Sequence, residues 1–197
     1  NGSLLTDKKL NELKTSGLDS LTLSLDTLNP DKIEKINGTK KTFELDKVIE
    51  SIEKYFNIVK TNTVVIKSIN DKEVLDIIHK MIGITSEVRF IEYMDVGESN
   101  NWNLDKVVPS SELLKIINSR YSLSLIDTHK SSTAQKWSID NTNTSVGFIS
   151  SITEPFCNDC NRARLSVDGK LYTCLFATEG HDLKEIIRTG ANSQDVL

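Results

Sequence analysis

Through roughly the first half of the chain two hydrophobic periods alternate, and this alternation limits the fold more than any other feature. Thr6 to Ser16 sets Leu10 and Leu13 on one helical face, with Gly17 placed to end the helix. Leu21, Leu23 and Leu25 then alternate with Thr22, Ser24 and Asp26, which predicts a short strand. Pro30 suits the first turn of a helix. A longer helix is predicted from about Thr42 to Phe56, with Leu45, Val48, Ile49, Ile52 and Tyr55 on one face. A β-branched run from Ile58 to Lys67 follows. Asn70 and Glu73 then read as a capping box opening a helix through Val74, Ile77, Ile78 and Met81, and Val88 to Met94 reads as a further strand. Helices and strands in this order predict parallel strands joined by crossover helices, an α/β fold. In such folds polar residues near the carboxyl ends of strands build sites. Ser24, Lys60 and Arg89 stand at or near such positions, with ordinary solvation or a local hydrogen bond as the plain alternative for each.

The pattern changes after Gly97. Glu98 to Trp102 is a polar loop, a helix is predicted from Ser110 or Ser111 to Asn118, and short strands near Ala134–Ile139 and Val146–Ser150 lie among polar connectors. Two domains are therefore expected, residues 1–97 and a smaller α+β domain at 98–197. The 197 residues carry a formal charge of −4, which argues against a duplex-binding module and leaves room for a small anion held by a few placed cations. With 9 glycines and 3 prolines a collagen-like or Pro/Gly-rich disordered chain is excluded. Neither a membrane-spanning run nor a secretory leader is visible.

The three cysteines fall in one segment, Cys157-Asn-Asp-Cys160-Asn-Arg162-Ala163-Arg164, with thirteen residues between Cys160 and Cys174 and Asp168-Gly169 among them. Asp-Gly between β-prone runs predicts a two-residue type I′ hairpin. Val167 would then face Lys170, Leu165 face Tyr172 and Ala163 face Cys174, bringing three thiols together as metal ligands. The alternative is a set of buried or idle cysteines. Spacing alone does not separate zinc, with His181 as fourth ligand, from an iron–sulfur cluster held by three thiolates with one iron left open. Arg162 and Arg164 lie roughly 6.5 Å apart on one strand face, a separation that suits phosphate oxygens, although surface arginines are usually just solvated. Ideal pairing would put Cys174 on the face opposite these arginines, so a bulge or strong twist would be needed for both to address one ligand.

The long Cys-x-x-Cys-x-Arg-x-Arg motif with Cys174-Leu-Phe, together with Asn1-Gly2, Ser24-Leu-Asp26, Lys60-Thr-Asn-Thr-Val-Val and Arg89-Phe-Ile-Glu-Tyr-Met-Asp95, resembles the GTP 3′,8-cyclase family. These are radical S-adenosylmethionine (SAM) lyases of molybdenum cofactor biosynthesis. The resemblance implies the C-terminal part of an incomplete (β/α)6 barrel followed by a small cluster-binding domain. It implies cyclisation of GTP to (8S)-3′,8-cyclo-7,8-dihydroguanosine 5′-triphosphate through a 5′-deoxyadenosyl radical. By position, Cys157, Cys160 and Cys174 match ligands of a second [4Fe–4S] cluster whose open iron binds guanine. Arg162, Ala163 and Arg164 match a GTP-binding stretch in which the two arginines are also catalytic. Lys60 matches a GTP contact, Ser24 and Met94 match SAM contacts, and Arg89 lies in a matching motif without an assigned role.

The same resemblance implies GTP, SAM and a reductant as partners, with neither nucleic acid nor membrane. It also implies a homodimer for the complete enzyme, and cyclic pyranopterin monophosphate synthase downstream. The expected compartment is the cytoplasm, or the mitochondrial matrix in a eukaryotic source. The family's first-cluster motif, Cys-x-x-x-Cys-x-x-Cys, does not occur here, because all three cysteines are already used. The chain is therefore expected to be a fragment lacking the N-terminal part. Two other readings compete on the residues alone: a zinc-stabilised binding domain, and a different radical SAM enzyme such as a peptide maturase, against which the Arg162/Arg164 pair argues.

Overall fold

Six strands form the main sheet of the computed structural model, which describes residues 2–38, 44–95, 102–127, 129, 132–155, 157 and 160–190. In chain order they are β1 (Ser20–Ser24), β2 (Ile58–Val65), β3 (Glu87–Glu92), β4 (Leu123–Ile126), β5 (Gln135–Ile139) and β6 (Ser145–Ile149). Across the sheet they run β1-β2-β3-β6-β5-β4. The pairs β1–β2, β2–β3 and β3–β6 are parallel, whereas β5 and β4 close the far side antiparallel. The predicted α/β fold with parallel strands is thus present. Five helices belong with this sheet: α1 (Asp7–Thr15), α2 (Pro30–Asn37), α3 (Leu45–Tyr55), α4 (Val74–Met81) and α5 (Ser110–Asn118).

Local chemistry explains most of the boundaries. The Thr6 hydroxyl accepts the Lys9 N–H at 3.2 Å and caps α1. Asn29 accepts the Asp31 N–H at 2.9 Å, Pro30 occupies the first turn of α2, and Gly38 ends it at φ 65°. The helix expected from Thr42 begins at Leu45, while residues 39–43 lie outside the described set, as do 96–101, which include all of the predicted polar loop but Trp102. β4, whose Leu123, Ser124, Leu125 and Ile126 are mostly exposed, is a strand that the sequence reading left out.

Side-chain alternation gives the sheet two unlike faces. On one, Leu23 and Val59 pack under Leu10 of α1 and Val48 and Ile52 of α3. Further across the same face, Val88, Phe90, Val146 and Phe148 pack under Ile77 and Ile78 of α4 and Leu113 and Ile117 of α5. The Phe90 and Phe148 rings lie 6.4 Å apart. The registers place Ser24 beside Asn62, Lys60 beside Glu87, Asn62 beside Arg89, Arg89 beside Gly147, and Gly147 beside Lys136. These residues therefore share the other face, which is polar.

The described residues fall into two compact units, the first within Asn1–Met94 and Asn103–Phe156, the second within Asp95–Trp102 and Cys157–Leu197. The boundary expected at residue 97 does not coincide with the edge of the sheet, because β6 hydrogen-bonds to β3 and carries β5 and β4 with it. In the second unit β7 (Arg164–Leu165), β8 (Lys170–Tyr172) and β9 (His181–Asp182) form a small antiparallel sheet followed by α6 (Leu183–Arg188).

The predicted capping box is not formed. A 3₁₀ turn at Asp71–Glu73 precedes α4, and both polar side chains reach elsewhere. Buried Asn70 donates to the Asp26 and Val64 carbonyls at 2.7 and 2.8 Å and accepts the Ile66 N–H at 2.7 Å. It thereby brackets the ends of β1 and β2. Glu73 accepts from the Thr27 hydroxyl, the Leu28 N–H and the Lys32 ammonium at 2.7, 2.8 and 2.6 Å. Buried backbone groups and a cation needing partners outcompete a local cap. Asn70→Ala would remove the side-chain partner of two carbonyls and one N–H in a buried or half-buried setting, and urea denaturation should show a loss of roughly 3 kcal/mol.

Candidate functional site

The polar sheet face carries a compact charge cluster built from three strands. Glu87, 2% exposed, sits at the start of β3. Its Oε1 accepts the Arg89 Nε–H at 2.7 Å and its Oε2 accepts from Arg89 Nη2 at 3.1 Å, a bidentate pair made possible by two-residue spacing on one strand. Lys136 Nζ of β5 lies 3.2 Å from the same Oε2, and Lys60 Nζ of β2 lies 3.8 Å from it. Burial alone raises the Glu87 carboxyl pKa; Arg89 and then Lys136 outweigh that effect and hold it below the ordinary glutamate value. Gly147 of β6 is the floor beneath this cluster. A Cβ there would stand 2.8 Å from Glu87 Oε1 and 3.2 Å from Arg89 Cγ.

Ser24 is exposed at the end of β1 and borders a groove of ≈ 630 Å³ with Asp26, Thr27, Leu28 and Pro30. Burial raises the Asp26 carboxyl pKa, which the Val64 N–H only partly offsets. Met94 lies half-buried two residues beyond β3. Lys60 and Arg89 meet across Glu87, whereas Ser24 and Met94 stand at separate strand ends.

In the second unit the hairpin differs from the one predicted. Gly169, at φ 87°, donates to the Ser166 carbonyl at 3.0 Å, and Ser166 donates to the Lys170 carbonyl at 2.9 Å. This is a three-residue loop with a glycine bulge, not a type I′ turn. Its register pairs Arg164 with Tyr172 and Leu165 with Leu171, one residue off the predicted pairing. Continued two residues outward, that register sets Cys174 opposite Arg162. A ladder extended that far would give the cysteine the parity of the two arginines, but the pairing stops short of both Arg162 and Cys174.

Cys157, Cys160 and Cys174 are free and exposed. Cys160 N–H donates to the Cys157 carbonyl at 3.2 Å, and Cys174 Sγ accepts the Phe176 N–H at 3.4 Å. Half-buried Arg162 donates through Nη2 to Cys160 Sγ at 3.2 Å, while Ala163 and Arg164 are exposed. The Arg162 backbone N–H and then its guanidinium lower the Cys160 thiol pKa, with Arg164 adding a smaller effect. In its chemistry this donor set fits an iron–sulfur cluster: three unpaired soft ligands, one of them drawn toward thiolate. The expected convergence of the thiols is not seen, however. Among the described residues no three His, Cys, Asp or Glu side chains are gathered closely enough to hold a metal ion, and His181 is exposed on β9. The β7–β8 ladder ends at the Arg164–Tyr172 pair and exerts no hold on Cys174.

Glu92, at the end of β3, is fully buried and ties three segments together. Its Oε1 accepts from the Ser110 N–H and hydroxyl at 2.9 and 3.1 Å and from the Thr153 hydroxyl at 2.5 Å. Its Oε2 accepts the Ile152 and Thr153 N–H groups at 2.9 and 2.8 Å. It thus anchors the first turn of α5 and the loop after β6. The sequence reading missed Glu87, Glu92, Lys136 and Gly147. Glu87 was open to discovery as the residue two before Arg89 on one strand, but Lys136 required the β6–β5 pairing.

The parallel α/β sheet is consistent with part of a radical SAM fold, and residues 1–81 match the sequence model of the Radical SAM superfamily. Enzymes of that superfamily use a [4Fe–4S] cluster and SAM. The chain belongs to the Molybdenum Cofactor Synthesis C family, whose model matches residues 86–197, more than half of its length. It is 40% identical over 190 residues to the GTP 3′,8-cyclase of Aquifex aeolicus, covering 95% of this chain and 58% of that protein. It is 39% identical over 202 residues to GTP 3′,8-cyclase 3 of Mycobacterium bovis, covering 100% and 52%. With the GTP 3′,8-cyclase of Staphylococcus epidermidis it shares 36% identity over 198 residues, covering 98% and 58%. The chain thus spans somewhat over half the length of these curated relatives. No helix among the described residues is long and apolar enough to cross a membrane.

The Glu92 network has a measurable pH signature. Burial raises its carboxyl pKa, but the Thr153 hydroxyl and N–H, then the Ser110 and Ile152 N–H groups, outweigh this and leave it below the ordinary value of 4.5. A depressed folded-state value contributes stability that is fully present above 4.5 and is lost as pH falls through the folded value. Glu92→Gln should cost about 2 kcal/mol at neutral pH and flatten the acid limb of a stability–pH curve measured by denaturant titration.

Proposed function

We propose that this chain is the substrate-holding part of a GTP 3′,8-cyclase, joining the ribose 3′ carbon of GTP to C8 of guanine in molybdenum cofactor biosynthesis. The observation that carries the reading is the contact of Arg162 with Cys160 at 3.2 Å, with Arg164 two residues further on. An anion-binding fork and a metal-ligand sulfur stand side by side. A nucleotide whose phosphates engage the arginines can therefore present its base to a metal centre on the cysteines. The triphosphate of GTP brings about four negative charges, which placed cations offset best where water is scarce.

Each unit has its own part in this reading. In the second, Cys157, Cys160 and Cys174 hold a [4Fe–4S] cluster, and Arg162, Ala163 and Arg164 bind GTP. A cluster on three thiolates supplies one iron open to the purine. In the first, Lys60 and Arg89 face phosphate oxygens from the sheet, and Glu87 keeps the Arg89 fork aligned. Ser24 and Met94 serve SAM, Met94 through its backbone, since a thioether is a poor polar partner. The complete enzyme works in the cytoplasm with a reductant, as a homodimer, and passes its product to cyclic pyranopterin monophosphate synthase.

Two variants test this in the complete enzyme after anaerobic reconstitution with iron and sulfide. Arg162→Ala should reduce product formation at least about a hundredfold with iron content unchanged; sustained cyclisation would refute the phosphate role. Cys174→Ser should lose about four irons per chain and the GTP affinity while SAM cleavage persists. Unchanged GTP binding in that variant would remove the cluster from the substrate site.

A further inference from the structure

We propose that Lys136 is a third phosphate-holding cation on the polar sheet face, beside Lys60 and Arg89, and that Glu87 is the positioning residue that sets all three. This rests on the reading that the chain binds GTP, and it adds a residue that neither the cysteine motif nor the barrel-end positions point to.

Three observations carry it. First, one buried carboxylate serves three cations: Glu87 Oε2 lies 3.1 Å from Arg89 Nη2, 3.2 Å from Lys136 Nζ and 3.8 Å from Lys60 Nζ. Two positive charges remain unmatched within the cluster on a partly desolvated face, where they favour an anion. Glu87 itself is only 2% exposed, so the cluster presents donors rather than its carboxylate. Second, most of the donors have no protein partner among the described residues. Each ammonium has three and Arg89 has five, of which two engage Glu87. Lys136 also borders an open groove of ≈ 360 Å³ with Ile126, Asp127, His129 and Ser132, so its side chain is reachable. Third, the same face leaves an acceptor waiting. Asn62, in register with Arg89, has a buried Oδ1 with no hydrogen-bond partner among the described residues. A ligand combining phosphate oxygens with hydroxyl groups, a nucleoside triphosphate, satisfies both. Gly147 makes the arrangement possible, since any Cβ there would push against Glu87 and Arg89.

The test is equilibrium binding to the complete, reconstituted enzyme, using GTP and guanosine as ligands and inorganic tripolyphosphate as competitor. Lys136→Met should weaken GTP about tenfold, weaken tripolyphosphate competition equally, and leave guanosine binding unchanged. Lys136→Arg should retain binding of GTP. Glu87→Gln should also weaken GTP, although it removes a negative charge from beside a polyanion; tighter binding would show a merely Coulombic role and overturn the positioning assignment. Equal GTP binding by the parent and Lys136→Met would overturn the Lys136 assignment and leave the GTP reading standing. Equal losses for GTP and guanosine would reveal only structural support and overturn it too. A parent enzyme that binds no GTP would bring down both the functional reading and this inference.

Discussion

What the first unit offers a ligand depends on the register of four parallel strands and, for Lys136, on the antiparallel β5 beside them. Side chains alternate across a sheet with a period of two, so one slip would carry Lys60, Glu87 and Arg89 under the helices and Val59, Val88 and Phe90 into the open. The helices forbid that slip. Leu10, Val48 and Ile52 on one side and Ile77, Ile78, Leu113 and Ile117 on the other can be buried only against the apolar face. The hydrophobic core therefore acts on the site at a distance, by fixing which residues can meet on the far side of the sheet.

Two buried polar side chains turn that register into defined strand ends. Asn70 satisfies backbone groups at the ends of β1 and β2, and Glu92 does the same for the start of α5 and the loop after β6. Neither group is close to a thiol or an arginine of the cysteine segment in sequence, yet both act where parallel α/β folds build their sites. A carboxylate surrounded by five donors is stable in a buried setting because the donors outweigh its desolvation. Glu87 obeys the same rule with cations in place of backbone N–H groups. The difference matters for function, since cations that share one carboxylate keep donors for something else.

The second unit shows how one residue of register changes a chemical reading. With a two-residue turn, Cys174 and the arginines would fall on opposite faces; the register of the observed three-residue loop, if extended past its last pair at Arg164–Tyr172, would give them the same parity. The Asp168-Gly169 pair is legible as a turn, but whether Gly169 closes a two-residue turn or follows a four-residue one depends on the whole hairpin. Here Gly169 is also held by α6, whose Leu183 and Lys184 N–H groups donate to its carbonyl at 3.1 and 3.2 Å. A similar contest decided Asn70 and Glu73, whose local spacing fits a capping box while backbone groups at the ends of β1 and β2 claim Asn70, and Thr27, Leu28 and Lys32 claim Glu73.

The order and type of the elements in the first half, the cysteine–arginine motif and the family it signals were all readable from the chain. Each rests on short-range spacing, and spacing is a property of sequence. The candidate residues Lys60, Arg89, Arg162, Arg164 and the three cysteines were legible for the same reason. Only tertiary structure decided that Lys136 joins Lys60 and Arg89 around Glu87, that Gly147 must lack a side chain beneath them, and that Glu92 fastens a helix to a distant loop. Those relations follow from strand order and register, which non-local burial sets, and nothing in the neighbourhood of any one of these residues encodes them.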